Sequence, residues 1–193
     1  DTEGGCAGTI PFDGHLDFNG ATVMGMYNTQ GGLFAEVGPN ATFKNVSLKN
    51  LYSYNEAGPA GTIAGYANSY KYTDADSTEQ TVANGNLEAE NIEISNCYVN
   101  SKDSKNNNFV GALIGRFRCV DGKIGVHINN CFAYNNTVLY NTEDRACLLG
   151  DVLNTFKSSA EDAETGGAYI KIENTVTIGI TPYHALAETN SGQ

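Results

Sequence analysis

Two acidic side chains near the start of the chain, Asp13 and Asp17, are the first candidates for chemistry. Hydrolysis of a glycosidic bond needs two carboxylates that face each other across a groove, and lyase chemistry needs a base beside cations that stabilise a carbanion. Asp17, however, lies in the sequence Leu-Asp-Phe-Asn-Gly, where an aspartate readily caps a turn. Turn capping therefore accounts for Asp17 without catalysis.

The arginines form the second candidate group, and the chain has three of them, Arg116, Arg118 and Arg145. Arg116 and Arg118 are two residues apart, so on a strand both side chains would share a face. A small basic patch of this kind would suit an anionic sugar or a carboxylate-rich neighbour. With 22 acidic residues against 11 basic ones, ordinary surface ion pairing is the preferred explanation of the arginines.

Residues with metal-ligand chemistry are scattered. No two of the five cysteines have the close spacing of a zinc or redox motif, and the three histidines are far apart. Asp74, Asp76 and Glu79, like the acids of residues 161–164, lack the spaced ligands and fixed glycine of a calcium loop. No nucleophile elbow, phosphate loop or zinc-protease motif is present. We therefore predict no metal, no cofactor and no enzymatic activity.

The elements that must position these side chains repeat along the chain. Four segments share one frame, in which small residues alternate with aliphatic ones; they are residues 31–37, 61–67, 111–117 and 146–152. Irregular self-similarity of this kind is typical of stacked solenoid coils whose loops vary in length. Apolar residues alternate inside each segment, as at Leu33, Ala35 and Val37, which is the period of a strand.

An asparagine recurs two residues after an apolar residue, at Asn45, Asn96, Asn130 and Asn174. In successive coils, about 4.8 Å apart, such amides can donate to and accept from one another, and asparagine tolerates the conformation of a turn. The pattern predicts an asparagine ladder at a corner.

The cysteines are assigned from their places in the repeat. Cys119 and Cys147 lie near the same part of consecutive coils and are the candidate disulfide. Cys97 and Cys131 occupy what looks like one repeat position, which predicts stacked, buried thiols that act as small apolar residues. The odd count leaves one thiol free or bonded to another chain, and Cys6 is the candidate for it.

The 193 residues are enough for one domain with a sizeable core. The sequence predicts an irregular lead-in over residues 1–9, a β domain over 10–180 and a polar tail over 181–193. Residues 146–159 are the one window that could hold a helical turn or two. The net charge of −11 argues against nucleic acid and anionic membrane surfaces as partners, and no transmembrane run is present.

Export is indicated by low lysine content, abundant Asn, Ser, Thr and Tyr, and several glycosylation sequons. Asn40 and Asn135 are the candidate glycosylation sites. Asn45 also begins a sequon, but it is already placed in the predicted ladder. We therefore expect an extracellular or cell-surface protein.

Three stretches carry a resemblance to a known family. They are residues 12–20 (FDGHLDFNG), 32–34 (GLF) and 41–50 (ATFKNVSLKN). This arrangement resembles the extracellular right-handed β-solenoid repeats related to the GLUG-motif family of surface proteins and adhesins. The resemblance covers most of residues 8–180, with a departure at Ala35 and polar inserts over 70–86 and 102–108. It implies a surface-exposed, non-enzymatic module and transfers no catalytic residue.

The resulting prediction is an all-β protein, a right-handed parallel β-helix of about four or five irregular coils. Its predicted role is structural or adhesive, in a surface fibre or adhesin whose uncapped ends let copies stack end to end or bind other surface proteins. The alternative is a glycan-binding module or a polysaccharide-degrading β-helix enzyme. Tyr66, Tyr70 and Tyr72 would then offer a stacking surface for sugars.

Overall fold

The structure, a computed structural model, describes residues 11–68, 70–82, 85–101, 109–119, 124–139, 149–154, 169–178 and 187–190. Every regular element in these ranges is a β-strand. The strands are β1 (His15–Met24), β2 (Tyr27–Asn28), β3 (Phe34–Val37), β4 (Thr42–Lys49), β5 (Tyr52–Asn55), β6 (Ala64–Asn68), β7 (Tyr70–Thr73), β8 (Glu79–Val82), β9 (Gly85–Ser95), β10 (Tyr98–Ser101), β11 (Ile114–Cys119), β12 (Ile124–Asn129), β13 (Phe132–Tyr134), β14 (Thr137–Leu139), β15 (Leu149–Asn154), β16 (Tyr169–Glu173), β17 (Val176–Ile178) and β18 (Ala187–Asn190).

All of these strands except β7 and β8 belong to three parallel sheets. Sheet 1 has the order β1-β4-β9-β12-β16, and β13 and β17 continue it beside the second half of β9. Sheet 2 has the order β2-β5-β10-β14, and sheet 3 the order β3-β6-β11-β15-β18. The chain passes through sheet 1, sheet 2 and sheet 3 in this order four times. A fifth return to sheet 1, with β16 and β17, is followed among the described strands by β18 of sheet 3. Each pass therefore adds one strand next to its predecessor.

The core lies between the sheets and is built from inward-facing side chains in register. In sheet 1, Leu48 pairs with Ile94, and Ile94 pairs with Ala133; all three are at most 1% exposed. Strand alternation explains this, because every second residue points inward and the next points outward. Burial of these columns, mostly Leu, Ile, Val and Ala, is the main favourable contribution to folding.

The predicted repeat frame is confirmed in sheet 3, where Phe34, Ala64, Ile114 and Leu149 are successive register partners. Its small residues allow backbones to approach closely. A Cβ atom on Gly61 would lie 2.5 Å from the carbonyl oxygen of Leu113. Only glycine fits such a position without displacing backbone.

Three regions differ from the prediction or add to it. The polar insert over residues 70–86 contains an antiparallel hairpin, β7–β8, whose turn is held by Asp74 accepting from the backbone amides of Asp76 and Thr78 at 3.0 and 2.9 Å. The helical turn allowed for residues 146–159 is wrong over Leu149–Asn154, which form a strand beside β11. β18 lies within the predicted polar tail and pairs with β15, while residues 1–9 lie outside the described residues.

Candidate functional site

A first row of side-chain amides crosses sheet 1 where its strands bend. Asn91 Nδ2 donates to Asn45 Oδ1 at 2.8 Å, and Asn130 Nδ2 donates to Asn91 Oδ1 at 2.6 Å. Asn45 Nδ2 donates in turn to Asp17 Oδ1 at 2.9 Å. We call these four residues the first amide row. Its side-chain hydrogen bonds link β1, β4, β9 and the bend after β12, in addition to the backbone pairing of these strands.

A second amide row lies five residues further along each strand. Asn135 Nδ2 donates to Asn96 Oδ1. Asn50 is placed next to Asn96, because Lys49 and Ser95 are register partners. Asn50, Asn96 and Asn135 therefore mark a second bend, between sheet 1 and sheet 2.

The predicted set of four asparagines is thus divided between the two bends. Asn45 and Asn130 share the first amide row, but the residue between them is Asn91, and Asn96 stands in the second. Asn174 continues the first bend, where its amide nitrogen donates at 3.0 Å to the side chain of the residue before Asn130. The amides do bind one another across neighbouring strands, but the prediction assigned Asn96 to the wrong bend.

The asparagines of both bends share a left-handed backbone, with φ between 49° and 58°. Most residues with a Cβ avoid this region, whereas asparagine tolerates it because its short polar side chain hydrogen-bonds locally. Each row therefore satisfies two requirements with one residue type. The amide links neighbouring strands, and the backbone turns the chain.

Asp17 is a turn cap and the terminal acceptor of the first amide row. Its Oδ1 atom accepts the backbone amide of Asn19 at 2.7 Å as well as the side chain of Asn45. The hydrogen bond from Asn45, followed by that from Asn19, lowers the pKa of the Asp17 carboxyl below its ordinary value. Both bonds stabilise the ionised form.

Asp13 binds a different loop. It accepts from the backbone amide of Asn40 at 2.5 Å and from Asn40 Nδ2 at 3.1 Å, and Tyr70 Oη donates to it at 3.3 Å. Asp13 thus ties the start of the described chain to the loop before β4 and to the hairpin. The structure gives the two predicted aspartates separate partners and no hydrogen bond to a common group.

Both candidate glycosylation sites are exposed. The Nδ2 atom, to which a glycan would be attached, is hydrogen-bonded in each: Asn40 to Asp13, and Asn135 to Asn96. Attachment of a glycan removes one of the two hydrogens of Nδ2, so each side chain would have to keep its hydrogen bond with the remaining one.

The outer face of sheet 1 carries two clusters of opposite charges. Lys44 Nζ lies 2.9 Å from Glu90 and 3.7 Å from Glu88, and the contact with Glu90 is the main reason that the pKa of Lys44 is raised. These pairs are largely exposed to solvent, so each contributes little stability.

The second cluster is formed around Glu173. Lys171 Nζ lies 2.8 Å from its carboxylate and His127 Nε2 lies 3.0 Å from it. The hydrogen bond from Lys171, then that from His127, lowers the pKa of Glu173. In both clusters the contacts join side chains on the same outer face of sheet 1.

Glu93 is the most connected carboxylate of this face. It accepts from Ser47 Oγ at 2.9 Å and Tyr134 Oη at 3.2 Å, and Lys49 Nζ lies 3.2 Å away. Burial acts to raise the pKa of Glu93, but the hydrogen bonds from Ser47, Lys49 and Tyr134 outweigh it and leave the pKa lowered. Glu93 therefore links β4, β9 and β13 through its ionised form.

A cavity of about 280 Å³ opens on the outer face of sheet 1, beside its edge strand β1. Its lining residues are His15, Leu16, Asp17, Thr42, Lys44 and Glu88. His15 Nδ1 lies 2.9 Å from Thr42 Oγ1. The polar groups of this cavity are already paired with protein atoms, so a ligand would have to compete with internal hydrogen bonds.

The predicted basic patch is described only in part. The guanidinium of Arg116 lies 4.2 Å from the ring centroid of Phe109, a distance typical of a cation–π contact. Arg118 lies two positions further along β11, and its side chain is outside the described part. Arg145 lies outside the described residues.

Cys97 and Cys131 are buried and free, and burial raises the pKa of both thiols, that of Cys131 to about 11. They do not stack on each other, however. Cys97 follows the second bend, where its Sγ donates to Leu48 O at 3.5 Å. Cys131 follows the first bend, where its Sγ donates to Ala89 O at 3.6 Å. The predicted stacking of the two thiols is therefore wrong.

The candidate disulfide cannot be placed, because Cys147 lies outside the described residues, as does Cys6. Cys119 ends β11 and is the register partner of Asn154. The part of the chain that the structure describes contains no disulfide.

A row of stacked tyrosines, which the sequence reasoning missed, lies along sheet 2. The ring centroids of Tyr27 and Tyr52 are 4.8 Å apart with 15° between the planes, and those of Tyr52 and Tyr98 are 4.7 Å apart with 9° between them. The faces of these rings therefore point from strand to strand. Tyr27, on the edge strand β2, is 66% exposed and has a free ring face.

The tyrosines singled out from the sequence are elsewhere. Tyr70 and Tyr72 lie in the hairpin with ring centroids 6.1 Å apart, and Tyr66 lies in β6 as the register partner of Glu36. They do not form one stacking surface with the tyrosine row. The missed signal is local: Tyr52 and Tyr98 each follow an asparagine of the second amide row by two residues.

Large apolar side chains are exposed at both ends of sheet 1. Met24 on β1 is 63% exposed; at the other end Val176 and Ile178 on β17 are 49% and 56% exposed, and Phe132 on β13 is 39% exposed. The register positions between these ends carry Lys49 and other polar residues.

Among the described residues no group of three or more His, Cys, Asp or Glu side chains is arranged to hold a metal ion. The described segments include no helix long and apolar enough to cross a membrane. Comparison of the chain with protein-family models, curated protein sequences and solved structures finds no match.

Proposed function

We propose that this chain is a right-handed β-solenoid, exported to the cell surface, that serves as a non-enzymatic structural or adhesive module of a fibre or adhesin. It would have one coil for each of the five strands of sheet 3. The partner would be a further copy stacked end to end, or another surface protein.

The observation that carries the proposal is the alignment of like side chains across successive strands. Two amide rows, one tyrosine row and the small residues of sheet 3 each repeat at the same register position. Such rows are expected when each pass of the chain stacks on the previous one, as in a solenoid. In these rows the polar side chains at the bends bind one another.

Open strand edges support the assembly role. In the described part of the chain β1 pairs with β4 alone, and β16 pairs with β12 alone. An unpaired strand edge presents rows of backbone donors and acceptors that can pair with another chain. Exposed apolar side chains at both ends of sheet 1 add surface that association would bury.

The glycan-binding alternative is supported by one feature, the free ring face of Tyr27 next to the open edge of sheet 2. A tyrosine face can stack on the apolar face of a sugar ring. Among the described residues no ring stacks on the outer face of Tyr27. Tyr52 lies between Tyr27 and Tyr98, and Tyr98 is followed by its register partner Thr137.

The assembly state of the purified chain tests the proposal. Light scattering and negative-stain electron microscopy over a wide concentration range, with and without reductant, should show fibres or long oligomers. Their loss on reduction would identify an intermolecular cysteine bond. A monomer at every concentration would refute end-to-end stacking.

A polysaccharide panel tests the alternative. We expect no turnover and no binding that depends on the tyrosine row. Turnover abolished by Asp13→Asn or Asp17→Asn would establish an enzyme, and glycan binding lost in Tyr27→Ala but retained in Tyr66→Ala would establish a binding module. Intact mass of protein from a glycosylating host would show whether Asn40 is modified.

A further inference from the structure

The outward-facing residues of sheet 1 follow a pattern along two register columns. The first column reads Met24, Lys49, Ser95, Tyr134, Ile178 from one edge to the other. The second reads Thr22, Ser47, Glu93, Phe132, Val176. On β4 and β9 both columns carry polar residues. Their two most exposed apolar residues, Met24 and Ile178, lie on the edge strands, and Phe132 on the inner strand β13 is 39% exposed.

The outward positions Lys49, Ser47 and Glu93 on β4 and β9 are polar, as expected for a solvated face, whereas Ser95 is fully buried. Met24 and Ile178 break this rule, with 63% and 56% of their surfaces exposed. Each lies on an edge strand that, among the described strands, has a partner on one side only. An apolar residue beside an open edge would be covered by a further strand added at that edge.

We propose that β17 of one copy pairs in parallel with residues 21–24 of a second copy, in the register that sets Ile178 beside Met24. This inference rests on the proposed end-to-end stacking and specifies its joint. The same register places Val176 beside Thr22, and the partly buried Val23 beside Thr177. The joint repeats the pairing by which β1 already joins β4.

The strand directions allow a second copy at this joint. All strands of sheet 1 run parallel, so a copy translated along the stacking direction presents β1 to β17 in the parallel sense. The register sets Asp17 beside Glu173, which is unfavourable on its own. Lys171, whose side chain is 55% exposed next to Glu173, lies one outward position away and can pair with Asp17 diagonally, as Lys44 pairs with Glu88.

Disulfide trapping between two variants tests the register. Copies carrying Met24→Cys are mixed with copies carrying Ile178→Cys under mild oxidation. Register partners on adjacent strands lie about 4.8 Å apart, within the Cα separations that a disulfide spans. The matched control replaces Met24→Cys with Lys49→Cys, an outward position one strand further from the joint.

We expect cross-linked species in the first mixture, with the peptide that joins positions 24 and 178 identified by mass spectrometry, and at least about tenfold less in the control because its cysteines are about 9–10 Å apart. Light scattering is recorded on the same samples. Assembly with equal or no cross-linking in the two mixtures would overturn this register while leaving end-to-end stacking standing. Absence of assembly would overturn both.

Two further variants test the apolar contact without cysteines. Met24→Lys recreates the residue of the neighbouring coil at this position, and Ile178→Ser recreates that of Ser95. Each should raise the concentration needed for assembly about tenfold or more, since burial of one such side chain contributes about 1.5–3 kcal/mol. Unchanged assembly in both variants, with the fold intact by circular dichroism, would refute the contact.

Discussion

Replacing Asn91 by alanine should destabilise the fold clearly, although this side chain is exposed. The substitution removes two side-chain hydrogen bonds, one to Asn45 and one from Asn130. Because both bonds are exposed, each is worth the lower half of the usual range, about 0.5–1 kcal/mol. The backbone at Asn91 has a φ of 53°, which costs a residue with an ordinary Cβ about 1 kcal/mol. The expected loss is about 2–3 kcal/mol in the free energy of unfolding.

A matched variant separates the two contributions. Asn91→Gly removes the same hydrogen bonds, but glycine adopts the left-handed backbone without strain. It should therefore lose about 1 kcal/mol less than Asn91→Ala. Urea unfolding followed by circular dichroism, with linear extrapolation to water, measures both values.

The reasoning fails if the two variants have equal stability, because the left-handed backbone would then cost alanine nothing. It also fails if Asn91→Ala loses less than about 0.5 kcal/mol, since the amide row would contribute no net stability. A double-mutant cycle between Asn91 and Asn45 should give a coupling energy of about 0.5–1 kcal/mol, and additive losses would show that the link is not formed.

Three other changes have defined outcomes. Leu48→Ala removes a fully buried side chain between Val23 and Ile94, and should cost about 2–5 kcal/mol in urea unfolding; a loss below about 1 kcal/mol would mean that the column is loosely packed. The Cys131 thiol, whose pKa is raised to about 11, should resist a thiol reagent at pH 8 until the chain unfolds, and rapid labelling of native protein would contradict its burial. The pKa of Glu93 is lowered, so its ionised form contributes stability that is present above the ordinary glutamate value of 4.5 and is lost as the pH falls through the folded-state pKa. Glu93→Gln should flatten this decline of stability on the acid side. An unchanged slope would assign the decline to other carboxylates.

Sheet 3 was predictable because its signal does not depend on loop length. Small residues are required where backbones approach closely, as at Gly61 and Gly115, and they recur at two positions of the repeat frame. The spacing between repeats carries no such constraint. The variable inserts therefore hid elements such as the β7–β8 hairpin, whose pairing is local and antiparallel.

The assignment of Asn96 to the first ladder failed for a physical reason. Where both bends of a pass carry an asparagine, the two asparagines are five residues apart, and each is preceded at two residues by an apolar residue. Ile94 before Asn96 resembles Ile128 more closely than Ala89 before Asn91 does. The register follows Ala89, because a small side chain fills the same inward position.

The tyrosine row escaped for a related reason. Its members are the first residues of short strands and are separated by 25 and 46 residues, so they show no regular period in the sequence. Their common feature is their place after the second bend, which is recognised only once the second amide row is known. The charged clusters and the apolar edges of sheet 1 could not be assigned before the register was known, since most of their contacts, apart from Lys171 with Glu173, join residues far apart in the sequence.

The first amide row has a sense of direction, and one residue imposes it. An asparagine side chain can face its neighbour with either its oxygen or its nitrogen, but the ionised carboxylate of Asp17 can only accept. Asn45 must turn its nitrogen toward Asp17, which leaves its oxygen for Asn91, whose oxygen is then left for Asn130. A single charge at the edge thus orders three amide dipoles over a span of about 14 Å. Protonating Asp17, or replacing it by asparagine, would remove this constraint, and the direction of donation along the whole row could then reverse.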